Sequence, residues 1–367
     1  MKKIITLAAA SVLAASTFSA QAQITLDGKV SAAEIGAANT GKYVLVGSYT
    51  QTHGYGDYGI TKLYVANTAT KVYMFLQSAV ENNNALQIYM DLPGITGIAK
   101  GTALPGGTAA SGTSFEKMKA KMDLETDLGI AIQATAAGQK INAISYVGMV
   151  SDKQVTPILP TDGSIVTLDA ASLAPIAQLV GARMAYLKSS TGKLSAVTNE
   201  GWEIELDRTA LGLPNTGTTT QSTINIFAIE SNGAGDYLSS DMIPEIPGNN
   251  GANLNESAKV DFTALAGTQS VAVQLASALA TRKEVATSLR FGMYPNPGST
   301  VTVNYTVPNS KQAVDLSVFD ATGKKVRLMS EAQVGEQAYK LSGLRAGIYV
   351  VKLNVGGQQT SSKLIIE

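Results

Sequence analysis

Hydrophobic and polar positions alternate along much of this chain, and the clearest run lies near its end. In residues 300–307, Val301, Val303, Tyr305 and Val307 fall on one side and Thr300, Thr302, Asn304 and Thr306 on the other. That two-residue period predicts a half-buried strand. Val314, Leu316 and Val318 repeat it, and residues 320–324 predict a turn in which Gly323 takes positive φ. Tyr349, Val351, Leu353 and Val355 share a face, Gly356-Gly357 suits a two-residue primed hairpin, and residues 360–366 supply the returning strand. Asn296, between Pro295 and Pro297, is held extended and gives the unit a defined start. A small all-β sandwich of about 75 residues follows, a size at which a lone domain is only marginally stable.

The longer body before it also reads as β. Residues 24–28 predict a short strand closed by an Asp27-Gly28 turn, and residues 63–66, 71–77 and 86–91 predict three more, joined by turns of hairpin length. Residues 94–113 are glycine-rich and read as a long surface loop; residues 114–119 fit either a short helix or a strand. Strands are expected at 127–133 and 141–150. Leu173, Ile176, Ala177 and Val180 recur at helical spacing, so residues 168–187 are the best helix, with Pro175 in its first turn or breaking it. In residues 202–207, Trp202, Ile204 and Leu206 are expected to face inward and Glu203, Glu205 and Asp207 outward. Asp207 then caps one helical turn through Leu211, closed by Gly212 and stopped by Pro214. Strands at 224–230 and near 270–275 flank a loop over 241–255. Residues 281–290, with Arg282, Lys283 and Arg290 and no periodicity, read as a linker in which proteolytic removal falls. The fold class is all-β: a large, jelly-roll-like β-sandwich over residues 23–280 and a small β-sandwich over 291–367.

Composition narrows the function. The 28 basic residues balance 28 acidic ones, which argues against nucleic acid or an anionic membrane surface as the main partner, because both need a concentrated basic face. With no cysteine, disulfides, thiolate metal sites and a cysteine nucleophile are excluded. Only 15% of residues are charged and 35 are glycine, a profile closer to an extracellular β protein than to a cytosolic helical enzyme. Lys2 and Lys3, the apolar residues 4–15 and Ala20-Gln21-Ala22 predict a secretory signal peptide over residues 1–22, with Gln23 the first mature residue. No other stretch is long and apolar enough to cross a bilayer as a helix, so the mature chain is expected to be soluble or surface-attached.

Two resemblances rest on these residues. Tyr294-Pro295-Asn296-Pro297, then residues 318–326 (Val-Phe-Asp-Ala-Thr-Gly-Lys-Lys-Val), then residues 344–352 (Leu-Arg-Ala-Gly-Ile-Tyr-Val-Val-Lys), then Lys363 followed by aliphatics, resemble the type A C-terminal sorting domain of the type IX secretion system. The resemblance implies an immunoglobulin-like sandwich whose sorting motif includes Tyr294, Pro295, Asn296, Pro297, Gly323, Gly347, Tyr349 and Lys363. It also implies passage through the periplasm, recognition by the secretion machinery at the outer membrane, removal of the domain, and a cargo released or attached to surface lipopolysaccharide. Across residues 24–265, Leu26-Asp27-Gly28, the strand ending in Asp91, residues 201–206 and residues 210–213 resemble family 9 carbohydrate-binding modules and related DOMON-like sandwiches. That second resemblance implies a sandwich fold and an extracellular glycan as partner.

The candidate ligand site is the loop over residues 50–59. Tyr49, Tyr55 and Tyr58 suit stacking on a sugar ring, with His53 and Asp57 hydrogen-bonding its hydroxyls; the alternative is a glycine-rich connection whose tyrosines pack on the sheet beneath. His53 is the only histidine and no Gly-x-Ser-x-Gly elbow is present, which weighs against a serine triad and removes multi-histidine zinc sites. Glu203 and Glu205, two apart on one strand face, are either a glycosidase-type carboxylate pair or acids that keep an exposed face soluble. Asn82, Asn83 and Asn84 with Asp91 offer oxygen ligands to calcium, or are turn residues. No catalytic residue, metal or cofactor is assigned. The expected protein is an exported, non-catalytic binding or surface-layer protein; the alternatives are a carboxylate-based polysaccharide hydrolase and a purely structural surface protein.

Overall fold

The computed structural model describes residues 24–108, 112–174, 176–213, 222–275, 289–355 and 358–367. The expected signal peptide, Pro175, Pro214, most of the expected linker and the expected Gly356-Gly357 turn lie outside them. The strands of the body are β1 (Val44–Ser48), β2 (Gly59–Asn67), β3 (Lys71–Ala79), β4 (Asn84–Asp91), β5 (Leu128–Thr135), β6 (Gly138–Ser145), β7 (Ser151–Leu159), β8 (Val166–Thr167), β9 (Arg183–Tyr186), β10 (Gly201–Asp207), β11 (Ser222–Asn232), β12 (Tyr237–Ile243), β13 (Asn255–Glu256) and β14 (Val271–Leu275). They form two antiparallel sheets, one in the order β1-β2-β3-β10-β9-β8, the other β13-β12-β11-β4-β5-β6-β7 with β14 also on β11.

The main core lies between these sheets. Met74, Leu76, Trp202, Ile204 and Leu206 of the first meet Leu86, Ile88, Met90, Ile130 and Ile226 of the second. Each sheet is also covered on its other side. Over the second, Tyr89, Phe227 and Ile229 are packed under Leu104, Phe115, Met118 and Phe262. Over the first, Tyr43, Tyr73 and Phe75 are packed with Ile24 and Val30.

That double covering overturns several expectations. Glu203 and Glu205 do leave the strand opposite Trp202, but they are buried, with 0% and 6% of their surface exposed: Asp27, Gly28 and Tyr43 lie on Glu203, and Lys71 and Arg183 flank Glu205. Residues 24–28 form no ladder strand, since the backbone amides of Asp27 and Gly28 are taken by the Glu203 carboxylate. The stretch at 94–113 is not simply a surface loop: Leu104 is buried and helps roof the second sheet. Residues 114–119 are turns, neither helix nor strand. Expected helix 168–187 shrinks to α1 (Ala170–Leu173), capped by Asp169, which accepts from the Ser172 amide at 2.7 Å. Ala174 leaves helical geometry (φ −57°, ψ 124°), as a residue before proline tends to. Of the four residues at helical spacing, Leu173 and Ile176 are buried, Val180 is half-buried and Ala177 is exposed, while Leu179 turns inward instead. The expected 241–255 loop begins in β12, which includes Asp241 and Ile243. Asp207 holds the turn after β10 as anticipated, accepting from Thr209 and Ala210, with Gly212 at φ +71°.

The C-terminal unit has β15 (Gly292–Tyr294), β16 (Val301–Asp320), β17 (Lys325–Leu341), β18 (Gly347–Val355) and β19 (Gln358–Ile366), in the order β15-β16-β18-β19 with β17 on β16. The two strands expected at 300–307 and 314–318 are the ends of one twenty-residue strand, whose pairing with β17 shifts between Val307 and Gln312. Val301, Val303, Tyr305 and Val307 share a core with Leu316, Val318, Val351 and Leu353, as the alternation requires, and Leu289 packs into it. Asp320 closes the 320–324 turn, accepting from Thr322 and Lys324, with Gly323 at φ +83°.

Candidate functional site

The loop before β2 brings its expected ligand residues to two separate neighbours. On one side, His53 Nδ1 lies 2.5 Å from Asp241 Oδ2, and the Gly54 amide donates to Asp241 Oδ1 at 2.9 Å. Tyr49 is buried beneath; its hydroxyl donates to the Thr52 carbonyl at 2.7 Å and lies 3.0 Å from Ser240 Oγ. Tyr55 stacks on Tyr237 with ring centroids 6.3 Å apart. On the other side, Asp57 is exposed and accepts from the amide and hydroxyl of Ser195, both at 2.7 Å, which hold its carboxyl below the ordinary range. Lys193 Nζ sits 4.0 Å above the Tyr58 ring. Both proposed partners of a ligand, ring faces and a carboxylate, are present, but much of their hydrogen-bonding capacity serves to fix the loop.

Asp241 was not singled out from the sequence, because Ser239-Ser240-Asp241 lies where a loop was read. Its carboxylate is fully buried and accepts from His53, Gly54 and the Ile60 amide. Glu230 lies in the strand expected at 224–230, but nothing in that strand's own residues marks it as inward: it faces the main core from β11, fully buried, and neither oxygen has a hydrogen-bond partner. Burial pushes its carboxyl well above the usual range, with the Asp241 and Glu81 charges adding to the shift.

The Glu203 pair resolves differently. Tyr43 donates its hydroxyl to Glu203 Oε1 at 2.7 Å, and the amides of Asp27 and Gly28 donate to Oε2 at 2.9 Å. Burial pushes this carboxyl up to about 7 against those three donors. Gly28 has φ +76°, and a Cβ there would stand 2.4 Å from the Leu187 backbone nitrogen, so this turn needs glycine. Glu205 pairs with Arg183 at 3.2 Å and Lys71 at 3.7 Å. Both carboxylates therefore anchor neighbouring segments. Among the described residues no group of three or more His, Asp or Glu side chains is placed to hold a metal ion.

In the C-terminal unit two motif residues, Asn296 and Tyr349, tie segments of the unit together. Asn296 Nδ2 donates to the Lys363 carbonyl at 2.9 Å while its Oδ1 accepts from the Ile365 amide at 2.9 Å, so one side chain caps the edge of β19. Tyr349 is buried, and its hydroxyl donates to the Arg345 carbonyl at 2.7 Å. Gly347 pairs with Ile366 at the end of β18, whereas Tyr294 is 78% exposed and Lys363 faces outward.

This unit is a small antiparallel β-domain closed on its own core, held at its edge by an asparagine from the preceding loop. Residues 292–367 match the family of secretion system C-terminal sorting domains, and this part of the chain is a type IX sorting domain, which points to export. No curated protein matches the chain. Among solved structures it is similar to the BSP domain of a biofilm associated protein (9% identity, 91% of this chain and 53% of that one, TM-score 0.24). It is also similar to dimeric latent PorU from Porphyromonas gingivalis (12% identity, 89% of this chain and 34% of that one, TM-score 0.20). The chain thus spans about half the length of the first and a third of the second. Likenesses at those TM-scores carry no inference about the body. No helix among the described residues is long and apolar enough to cross a membrane.

Proposed function

We propose that the chain is a cargo of type IX export, with residues 1–22 as its signal peptide, residues 23–280 as the carried sandwich, residues 281–290 as the processed linker and residues 291–367 as the sorting unit. The observation that carries this is the family match over 292–367. A self-contained hydrophobic core that begins at Leu289 supports separability. The destination is the cell surface or the medium.

We read the carried sandwich as a binding protein. In support, Glu203 accepts three hydrogen bonds and Glu205 is paired with two cations, so both acids of the suspected hydrolytic pair are engaged in holding the fold. The ligand class is an extracellular glycan, contacted at Tyr55, Asp57 and Tyr58, with Tyr49 and His53 holding the loop from below. A sugar ring stacks on an exposed aromatic face while hydroxyls bridge to nearby carboxylates. Two measurements test the reading. Removing residues 292–367 is expected to leave the protein inside the cell envelope; export of the truncated chain overturns the sorting assignment. Titration of the full chain with a panel of soluble polysaccharides is expected to show binding that Tyr55→Ala weakens about tenfold, the equivalent of one good stacking contact. Binding unchanged by Tyr55→Ala and Tyr58→Ala, or absent across the panel, overturns the glycan assignment.

A further inference from the structure

A domain read by another protein has to be read through groups that reach solvent; seven of the eight motif residues do, Tyr349 being the buried one, but several of them are also engaged in holding the unit together. Asn296 and Tyr349 make the internal bonds described above, and Gly323 serves a turn. A further solvent-facing feature, to which the motif contributes only Lys363, lies on one sheet face. Cross-strand pairing puts Ser317 beside Leu328 and Lys352, Phe319 beside Lys325 and Val350, Val350 beside Lys363, and Ile348 beside Ile365. Leu328, Ile348 and Val350 are 56%, 53% and 46% exposed, and Phe319 and Ile365 are half-buried beside them. Neighbouring strands lie about 4.8 Å apart, so these side chains form one continuous apolar strip across four strands. Elsewhere in the unit the large exposed apolar side chains are Tyr294 and Val334, outside the strip.

Charge on this face is mainly positive, its acids being Asp315 and the exposed Glu367, two residues after Ile365. Lys325, Lys352 and Lys363 rim the apolar strip, all three are exposed, and none takes part in an ion pair among the described residues. Lys325 Nζ leans over the Phe319 ring at 5.8 Å. Asp315 lies toward the far end and accepts from Ser330 Oγ at 2.5 Å. An apolar centre with a rim mainly of one sign is how a specific protein interface is laid out, the centre supplying affinity and the rim orientation.

We propose that the outer face of β16, β17, β18 and β19 is the surface by which the sorting domain is captured, and that its partner is a protein surface with an apolar centre and an acidic rim. The inference rests on the type IX reading and adds to it which face is read. A protein fits better than a lipid surface: the apolar side chains stand on a rigid sheet at fixed spacing, the cations number three, and the chain as a whole is neutral, with 28 charges of each sign.

The test uses the full chain expressed in a bacterium with type IX export, with the exported fraction measured by immunoblot. The double variant Lys352→Glu/Lys363→Glu and the double variant Ile348→Thr/Val350→Thr are each expected to lower that fraction about tenfold. Val334→Thr, outside the strip, is expected to export normally. Each purified variant is melted alongside; if the glutamate pair unfolds the domain, the threonine pair, which keeps β-branched side chains, decides. Normal export of folded glutamate and threonine variants, while the chain lacking 292–367 is retained, overturns the face and leaves the type IX reading standing. Export of the truncated chain overturns both. Binding of the full chain to phosphatidylglycerol vesicles that the glutamate pair abolishes, with export unchanged, assigns the face to lipid and overturns the proposal.

Discussion

The carried sandwich and the sorting unit are both antiparallel β, yet they handle their sheet faces in opposite ways. In the body, β10 is buried on both sides, Trp202, Ile204 and Leu206 against one core, Glu203 beneath the N-terminal segment and Glu205 between Lys71 and Arg183. In the sorting unit, β18 buries Tyr349, Val351, Leu353 and Val355 and leaves Ile348, Val350 and Lys352 to solvent. The same two-residue alternation therefore means an inside and an outside in one unit and two different interiors in the other. A charged residue on the second interior needs partners, and Glu203 has them.

The sharpest way to test this contrast is to remove one large side chain from each unit's strands. Trp202→Ala empties a site with no solvent access and is expected to cost the sandwich about 3–5 kcal/mol. Leu328→Ser, on the open face, is expected to change stability by no more than about 0.5 kcal/mol. Denaturant unfolding of the two variants checks both; similar losses would erase the distinction.

The second interior predicts a pH dependence. Glu203 has a folded pKa of about 7 against an ordinary 4.5, so between those values the folded chain keeps a proton that the unfolded chain has released. Stability is therefore greatest on the acid side of this window and falls as pH rises through it, by on the order of 3 kcal/mol at full effect. Asp127, pushed up to about 6 by burial, acts in the same direction. Glu203→Gln is expected to flatten the slope between pH 5 and pH 8; a slope as steep as that of the parent chain would show that this carboxyl is not its source.

Smaller effects follow from single donors. Tyr43→Phe removes one of three hydrogen bonds to the buried Glu203 carboxyl, for an expected loss of about 1–3 kcal/mol in the sandwich. Asn296→Ala removes the cap on an exposed strand edge, for about 1 kcal/mol in the sorting unit, and speeds hydrogen exchange at the Ile365 amide. An unaltered exchange rate there would mean that the loop does not hold the edge.

Legibility followed the same divide. The strands of the sorting unit, its Gly323 turn and the inward residues of β16 and β18 were readable because one face meets water and polarity reports it directly. β17 was not read: its exposed and half-buried residues lie along an edge with weak alternation. In the body, β7 and β12 were overlooked, since Ser239, Ser240 and Asp241 imitate loop composition while lying buried in a strand. The loop over residues 50–59 was singled out by its tyrosines, but its union with Asp241, 188 residues away, had no local signal.

The amino-acid order alone settled the β character of the chain, the inward faces of most core strands, and the sorting unit, because these depend on periods and motifs contained within short stretches. Whether a polar residue meets solvent was settled only by the packing of distant segments, as where Tyr43 and Gly28 reach Glu203. Burial is a property of what lies on top of a strand, and a strand's own sequence does not contain its cover.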